Sequence, residues 1–380
     1  MRSDVPSVSL RDVSVERGII GGPFGSSLGR KDYQADGVPV IRGANISQPP
    51  FVMDDLVFVS DEKADALSRC VAIPGDIVVT QRGTLGQVGR VPPGPYPRWL
   101  VSQSQMALRV SPEVADPAFV YYCLRSPQLQ RQIHDAAIVT GVPHINLGIF
   151  GNLLVPMPTL REQARIAAVL GTLDDKIYSN TRMSETLIAI GAALVERSQW
   201  HASTPVLVGD VCEFHNKSRI PMSASQRALR PGSFPYYGAT GVVDFVDDYL
   251  FSGEYVLVGE DGSVQTGDGY PVIQYVWGDF WVNNHAHVLT FGDVAPEIGY
   301  LVMRQANVAP FVTGAVQPKL SMRRLKEVSL RWPRDVPTLA AELRSIFAMF
   351  RDMTAETKTL TELRDALLPK LISGEIRMSA

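Results

Sequence analysis

The sequence predicts an α+β chain written twice: two strand-rich globular domains in pseudo-twofold repeat, each followed by a long helix, with the two helices packed on each other. Three observations carry this. Apolar positions recur in two helical stretches at a constant offset of 177 residues. The heptad spacing of those stretches runs beyond the length of an ordinary globular helix. The segments before them share short apolar runs punctuated by Gly and Pro.

The helices are the clearest element. Ile166, Val169, Leu170, Leu173, Met183, Ile190 and Leu194 become, on adding 177, Leu343, Ile346, Phe347, Phe350, Leu360, Leu367 and Leu371. All stay apolar. Asp175 maps to Asp352 and Glu185 to Glu362. Positions 166, 170, 173, 177, 180, 184, 187, 191 and 194 follow a heptad seam, the period that lets two helices pack along one stripe. Asn180 and Ser184 interrupt it, and Thr354, Thr357, Thr361 and Arg364 occupy the middle of the second copy. A polar seam residue lowers stability and fixes register; the competing reading is a loose, wet helix pair. Thr159 and Glu162 form a capping-box pattern before the first helix, and Pro337-Thr338 opens the second. The first ends before His201; the second ends near Gly374, a C-cap residue type. About 40 residues at ~1.5 Å each span roughly 60 Å. Such a helix needs a partner along its length, and the other copy supplies one.

The segments before the helices correspond less tightly. Residues 99–110 and 280–291 partly alternate apolar and polar, the pattern of a half-buried strand. Pro74-Gly75-Asp76-Ile77-Val78-Val79 parallels Ser252-Gly253-Glu254-Tyr255-Val256-Leu257. Pro39-Val40-Ile41 parallels Pro235-Tyr236-Tyr237, and Thr140-Gly141-Val142 parallels Thr313-Gly314-Ala315. The expected division is a first domain over 1–158, a central helix over 159–200, a second domain over 201–335 and a C-terminal helix over 336–380.

Composition bounds the function. A chain of 380 residues, 45% hydrophobic and 20% charged, suits a soluble protein of two or three domains. No apolar run reaches the length of a membrane span, and residues 1–13 lack the apolar core of a signal peptide. Cys70, Cys123 and Cys212 are odd in number and far apart, which points to a reducing cytoplasm. The glycosylation patterns Asn45-Ile46-Ser47 and Asn216-Lys217-Ser218 carry no weight without secretion. The net charge of −3 argues against a stand-alone nucleic-acid binder. Two basic stretches stand out locally: Lys217, Arg219, Arg227 and Arg230, and Lys319, Arg323, Arg324 and Lys326. Each reads equally as a binding patch or a solvated face.

Catalytic motifs are missing or out of context. There is no G-x-x-x-x-G-K-[ST], no G-x-G-x-x-G after a strand, no H-E-x-x-H and no paired C-x-x-C. Gly83-Thr84-Leu85-Gly86-Gln87-Val88-Gly89 has the spacing of a strand turn rather than a phosphate cradle. His285 and His287 would share a strand face, but two ligands do not make a metal site. Gly25-Ser26-Ser27-Leu28-Gly29 matches a nucleophile-elbow pattern without the helix that must follow it. Gln48-Pro49-Pro50-Phe51 approaches the target-amine loop of adenine methyltransferases but reads as a proline turn.

A set of short segments completes the reading. Gly22-Pro23-Phe24-Gly25-Ser26-Ser27-Leu28 precedes Gly37-Val38-Pro39-Val40-Ile41-Arg42-Gly43-Ala44-Asn45-Ile46. Gly75-Asp76-Ile77-Val78-Val79 precedes Arg82-Gly83-Thr84-Leu85-Gly86. Ile145-Asn146-Leu147, Val155-Pro156-Met157-Pro158 and Glu162-Gln163 lead into the first helix, and Leu363-Arg364-Asp365-Ala366-Leu367-Leu368-Pro369-Lys370-Leu371-Ile372-Ser373-Gly374-Glu375-Ile376 ends the second. In this order and in two copies, nearly the whole chain resembles the specificity subunit of type I restriction-modification enzymes. The second domain departs from the pattern: it has no Gly-Pro-Phe-Gly-Ser and is shorter.

The resemblance implies a reader rather than a cutter. It implies two target-recognition domains on an antiparallel coiled coil, each reading half of a bipartite site in double-stranded DNA. It implies docking of two modification (methyltransferase) subunits, with restriction and translocase subunits as further partners. It implies no catalytic residue, cofactor or metal in this chain, with S-adenosylmethionine, Mg and ATP held by the partners. No membrane partner is expected. Hydrogen-bonding side chains in loops and on strand faces are the expected base readers: Gln81, Arg82, Thr84, Gln103 and Gln105 in the first domain; Lys217, Arg219, Tyr237, Asn283 and His285 in the second. Helix pairing and partner docking are expected at Ile166, Leu170, Leu173, Asn180 and Leu187, and at Leu343, Phe347, Phe350, Thr357 and Leu367. Two rival readings are a protein-interaction adaptor on the same helices and a stand-alone DNA methyltransferase or nuclease.

Overall fold

A computed structural model describes residues 5–46, 56–139, 141–201, 203–314 and 316–377. Gln48-Pro49-Pro50-Phe51 lies outside the described residues, as do Ser47, Thr140 and Ala315 of the patterns above. The chain divides into two compact units, residues 1–181 with 355–380, and residues 182–354.

The repeat is visible strand by strand. Each unit has ten strands among the described residues, and each strand has a counterpart of the same rank and neighbours in the other unit. In the first unit one sheet runs Ser14–Gly21, Gln105–Val110, Ile77–Thr80, Val88–Arg90. The other runs Val57–Val59, Val38–Ile41, Trp99–Val101, Val71–Ala72. The second unit repeats both orders, with Glu213–Phe214, Ala286–Thr290, Tyr255–Gly259, Ile273–Val276 and with Val242–Val246, Pro231–Tyr237, Asp279–Val282, Phe251–Ser252. Val38–Ile41 pairs parallel with Trp99–Val101, and Pro231–Tyr237 pairs parallel with Asp279–Val282. A two-stranded ribbon closes each unit: Ser7–Ser9 with Leu154–Pro156, and Ser203–Leu207 with Ser329–Pro333.

Residues 99–110 and 280–291 are corrected by the structure. Each is two strands rather than one, and the polar residues that suggested alternation form the turn between them: Ser102-Gln103-Ser104 and Asn283-Asn284-His285. The flanking strands are buried on both faces, so they carry apolar runs instead of alternation.

The long helices are Leu160–His201 and Val336–Ile372. The Thr159 hydroxyl accepts from the Glu162 amide at 3.3 Å while the Glu162 carboxylate accepts from the Thr159 amide at 3.0 Å, the expected capping box. The second helix opens earlier than Pro337-Thr338. Asp335 caps it, accepting from the Thr338 amide at 3.2 Å.

Within each unit the two helices run antiparallel. In the first, Arg364 reaches Asp174 at 2.8 Å and the Asn180 amide donates to Glu356 at 2.7 Å. In the second, Arg197 binds Glu342 at 2.8 Å. The start of the first helix and the end of the second join the core of the first unit through Ile166, Ala167, Leu170, Leu368, Leu371 and Ile372. Ile188, Val195, Leu339, Leu343 and Phe347 do the same in the second. Burying each of the Val, Leu, Ile and Phe side chains among these contributes about 1.5–3 kcal/mol. Among the proposed pairing residues, Leu187 and Asn180 are also buried, while Leu173, Phe350, Thr357 and Leu367 are half-buried.

The seam reading missed the charged groups. Asp174, one residue from seam position 173, is buried between the helices and the first domain. It accepts from Tyr122 at 2.9 Å, Arg125 at 2.8 Å and Arg364 at 2.8 Å. Its repeat equivalent, 177 residues on, is Arg351. Arg351 donates to the Tyr275 hydroxyl at 2.6 Å and lies 2.8 Å from Glu254 and 3.2 Å from Glu297. The same position carries opposite charge in the two copies and faces a matching cluster in each.

Candidate nucleic-acid interface

In the first unit four loops are tied together by backbone bonds. The Gln81 amide donates to the Ser104 carbonyl at 2.9 Å, and the Ile145 amide donates to the Gln81 carbonyl at 3.0 Å. The Gly83 amide donates to the Pro143 carbonyl at 3.4 Å, and Arg82 bridges to His144. The Gly22 amide donates to the Gln105 carbonyl at 3.3 Å. A Cβ on Gly22 would lie 2.0 Å from the Ser102 carbonyl oxygen, so only glycine permits this approach. Segments 22–28, 81–86 and 102–105, with 138–139 and 141–145, thus form one loop cluster.

The second unit builds the same scaffold. The Glu260 amide donates to the His285 carbonyl at 2.7 Å, and the Leu320 amide to the Glu260 carbonyl at 2.9 Å. The Gly262 amide donates to the Pro318 carbonyl at 2.9 Å, and Asp261 bridges to Lys319. Gln81, Arg82, Gly83, Pro143, His144 and Ile145 therefore correspond to Glu260, Asp261, Gly262, Pro318, Lys319 and Leu320. The backbone is held constant while the outward side chains change.

The charges differ accordingly. The first cluster contains no carboxylate in any of its four segments, and Arg82 is exposed. In the second, Glu260 pairs with Arg219 at 2.8 Å and Asp261 with Lys319 at 3.1 Å. The two basic stretches of the sequence are largely spent in this way. Arg227 binds Asp244, Arg230 binds Asp247, and Arg323 lies 3.6 Å from Glu327. Lys326 covers the Phe214 ring. The partner carboxylates arrive mostly from other strands and loops, so the linear stretch overstated the patch.

The proposed readers separate into two groups. Arg82, Thr84, Gln103, Lys217 and His285 are exposed. Gln81 is half-buried and its amide donates to the carbonyls of Gln103 and Gln105 at 2.9 and 3.1 Å, holding the loops together. Gln105 is 1% exposed and its side chain meets Ser102, so it faces inward instead of toward a ligand. Arg219 is a clamp: its guanidinium also donates to the carbonyls of Asn216 at 3.0 Å and Ala286 at 2.6 Å, and its side chain is 12% exposed. Tyr237 packs edge-on to Phe280, and burial pushes its phenol up from the ordinary value. Asn283 accepts from the His285 amide at 2.8 Å and shapes the turn. For Gln105 and Arg219 the burial corrects the expectation of a reading role: a buried polar group is hydrogen-bonded within the fold, here to Ser102 and to Glu260 and two backbone carbonyls.

His285 and His287 do not share a face, because His285 sits in the turn and His287 in the buried strand. His287 donates from Nε2 to the Leu320 carbonyl at 2.7 Å and accepts at Nδ1 from Asn216 at 2.8 Å, a pattern that assigns the neutral tautomer. Burial holds its pKa below the ordinary value. His144, Asp261 and Lys319 were not singled out as readers. Their alignment with Arg82 and Glu260 depends on a hairpin some 60 residues away in sequence, which no local pattern reports.

Two tandem domains of one topology, offering different side chains from one loop scaffold, define a class of paired recognition modules carried on long helices. Residues 30–187 and 203–359 each match the family described as Type I restriction modification DNA specificity domain, and the chain belongs to that family. It is 34% identical over 134 residues to a Haemophilus influenzae protein named as a putative type I restriction enzyme specificity subunit, covering 35% of this chain and 33% of that one. It is 23% identical over 186 residues to the Escherichia coli type I restriction enzyme EcoBI specificity subunit, covering 46% and 38%. The matches thus span about a third of the length of these relatives. The crystal structure of a type I restriction-modification system S subunit from M. genitalium shares the fold, with a TM-score of 0.56 at 17% identity over 96% of this chain and 95% of that one. No helix among the described residues is long and apolar enough to cross a membrane.

Proposed function

We propose that this chain is the DNA specificity subunit of a type I restriction-modification system and carries no catalytic group of its own. Each domain, within residues 1–158 and 201–335, reads one half of a bipartite site. The helices of 159–200 and 336–380 set the gap and dock two modification subunits, with restriction subunits as further partners. S-adenosylmethionine, Mg and ATP belong to those partners. The observation that carries this reading is the twinned loop scaffold. One backbone framework presents Arg82 and His144 in the first domain and Asp261 and Lys319 in the second. Arg82 is exposed and suits guanine, whereas Asp261 is engaged by Lys319 at 3.1 Å, so the two domains offer different groups from the same positions. The modest net charge of −3 fits a subunit whose partners grip much of the phosphate backbone.

A genome-wide map of methylated adenine tests it, comparing cells that carry this chain and its modification subunit with cells carrying the modification subunit alone. A split motif that depends on the chain supports the reading. With both proteins expressed and associated, absence of such a motif favours the adaptor.

The exposed and clamped arginines should behave differently. Arg82→Ala is expected to leave stability unchanged, to weaken DNA binding, and to reduce the slope of log affinity against log salt by about one if it meets a phosphate. Arg219→Ala is expected to destabilise the second unit by roughly 3 kcal/mol, because Glu260 loses its buried cation. Urea denaturation and salt-titrated DNA binding of both variants check this. A large stability loss in Arg82→Ala would reverse the assignment.

A further inference from the structure

We infer that Phe24 inserts its ring at a base-pair step in the half-site read by the first domain, a role that rests on the DNA-reading function proposed above. Phe24 is 86% exposed, an extreme value for an aromatic side chain in a folded domain. It is not on a loosely held tail. Gly22, two residues before it, is wedged against the Ser102 carbonyl, and Gly25, directly after it, turns the chain at a φ of +59°. The backbone therefore projects the ring from the loop cluster that presents Arg82 and Gln103.

The surroundings favour DNA over a protein partner. The loops of this cluster carry no carboxylate, and Arg30 and Lys31 follow Phe24 closely in the chain and are exposed. Asp32, the first acid after them, is held by Lys63 at 3.1 Å. The same cluster exposes Val139 and Val142 on its hairpin. Apolar side chains on loops that carry no carboxylate and that expose Arg82 are the makings of a wedge that unstacks a base step while cations hold the backbone. A docking site for a protein would not need to exclude acids. In the second domain the sheet register puts an arginine at this place rather than a ring: Ile19 pairs with Leu108 as Phe214 pairs with the equivalent Leu289, so Phe24 corresponds to Arg219. The wedge is thus confined to one half-site.

The test uses the assembled complex of this chain with its modification subunit, bound to duplexes carrying 2-aminopurine at successive steps of each half-site. Apart from the target adenine of each half-site, which a methyltransferase takes out of the stack, the wild type is expected to raise fluorescence at one step of the first domain's half-site and at no matching step of the other. Phe24→Ala is expected to lose that signal and to weaken binding on the order of tenfold to a hundredfold. Its salt slope should be unchanged, since no charge is lost. Phe24→Trp should restore both signal and affinity. If Phe24→Ala binds and reports like the wild type, the wedge is wrong while the DNA-reading function stands. If Phe24→Ala fails to assemble with the modification subunit, the ring is a protein contact and the inference falls. If the wild-type complex shows no sequence preference, the function itself fails and takes the wedge with it.

Discussion

Asp174→Ala is expected to destabilise the first unit by about 3–5 kcal/mol, which corresponds to a fall in its unfolding temperature on the order of 10 °C. The reason is the number of groups that depend on one carboxylate. Arg125 comes from the first domain and Arg364 from the second helix, and both end within 2.8 Å of Asp174. All three side chains are mostly buried, Asp174 at 2% exposure. Removing the acid leaves two desolvated guanidinium groups facing each other, and the Tyr122 hydroxyl loses its acceptor. Burial, the largest of the causes that push the Tyr122 phenol above its ordinary range, persists in the variant and opposes its ionising to compensate. Denaturation of the full chain, followed by probes in each unit, checks the effect. An unfolding midpoint within 2 °C of wild type would mean the cluster contributes little.

The repeat sharpens this experiment. Arg351 occupies the equivalent position and faces Glu254 and Glu297. The double exchange Asp174→Arg with Arg351→Asp keeps the net charge. It nevertheless places a third cation beside Arg125 and Arg364, and a third acid beside Glu254 and Glu297. The exchange is expected to be worse than either alanine variant. A generic surface ion pair would tolerate it, because such pairs contribute little. The opposed charges also match each domain to its own helix segment, since Arg125 would repel Arg351.

What the sequence revealed and what it hid follow from the range of the interactions involved. The repeat, the long helices and the Thr159–Glu162 cap rest on spacings of three to seven residues or on a constant offset, and these can be read in one dimension. The turn within 99–110 escaped because Ser102, Gln103 and Ser104 supply the polar beats of an alternating strand. Asp174 and Arg351 escaped because a search for apolar seams passes over charges whose partners lie elsewhere in the fold. The basic stretch at 217–230 looked like a patch because Glu260, Asp244 and Asp247, which neutralise it, follow only later in the chain. The first domain's carboxylate-free loops are the converse case. They come from four separate segments, none of them basic enough to be noticed alone.

Deleting residues 177–183 and 354–360 together is expected to shorten the gap between the half-sites while leaving both half-site sequences unchanged. These two stretches are equivalent in the repeat, at the offset of 177. Their removal spares the Asp174–Arg364 contact in the first unit and the Arg197–Glu342 contact in the second. Seven residues shorten a helix by about 10 Å, at most about three base pairs of B-DNA. A heptad returns each helix to within ~20° of its former phase, so the buried faces keep their partners. The DNA grooves do not return in phase over three base pairs, which favours a shift of about one to three. Deletion from one helix alone should behave differently, because it slides every later antiparallel contact out of register and should abolish assembly with the modification subunit. Methylation maps of both variants separate the cases. If the paired deletion yields the original gap, the helices hold the domains without measuring the DNA. If it changes a half-site sequence, reading and spacing are not carried by separate parts of the chain.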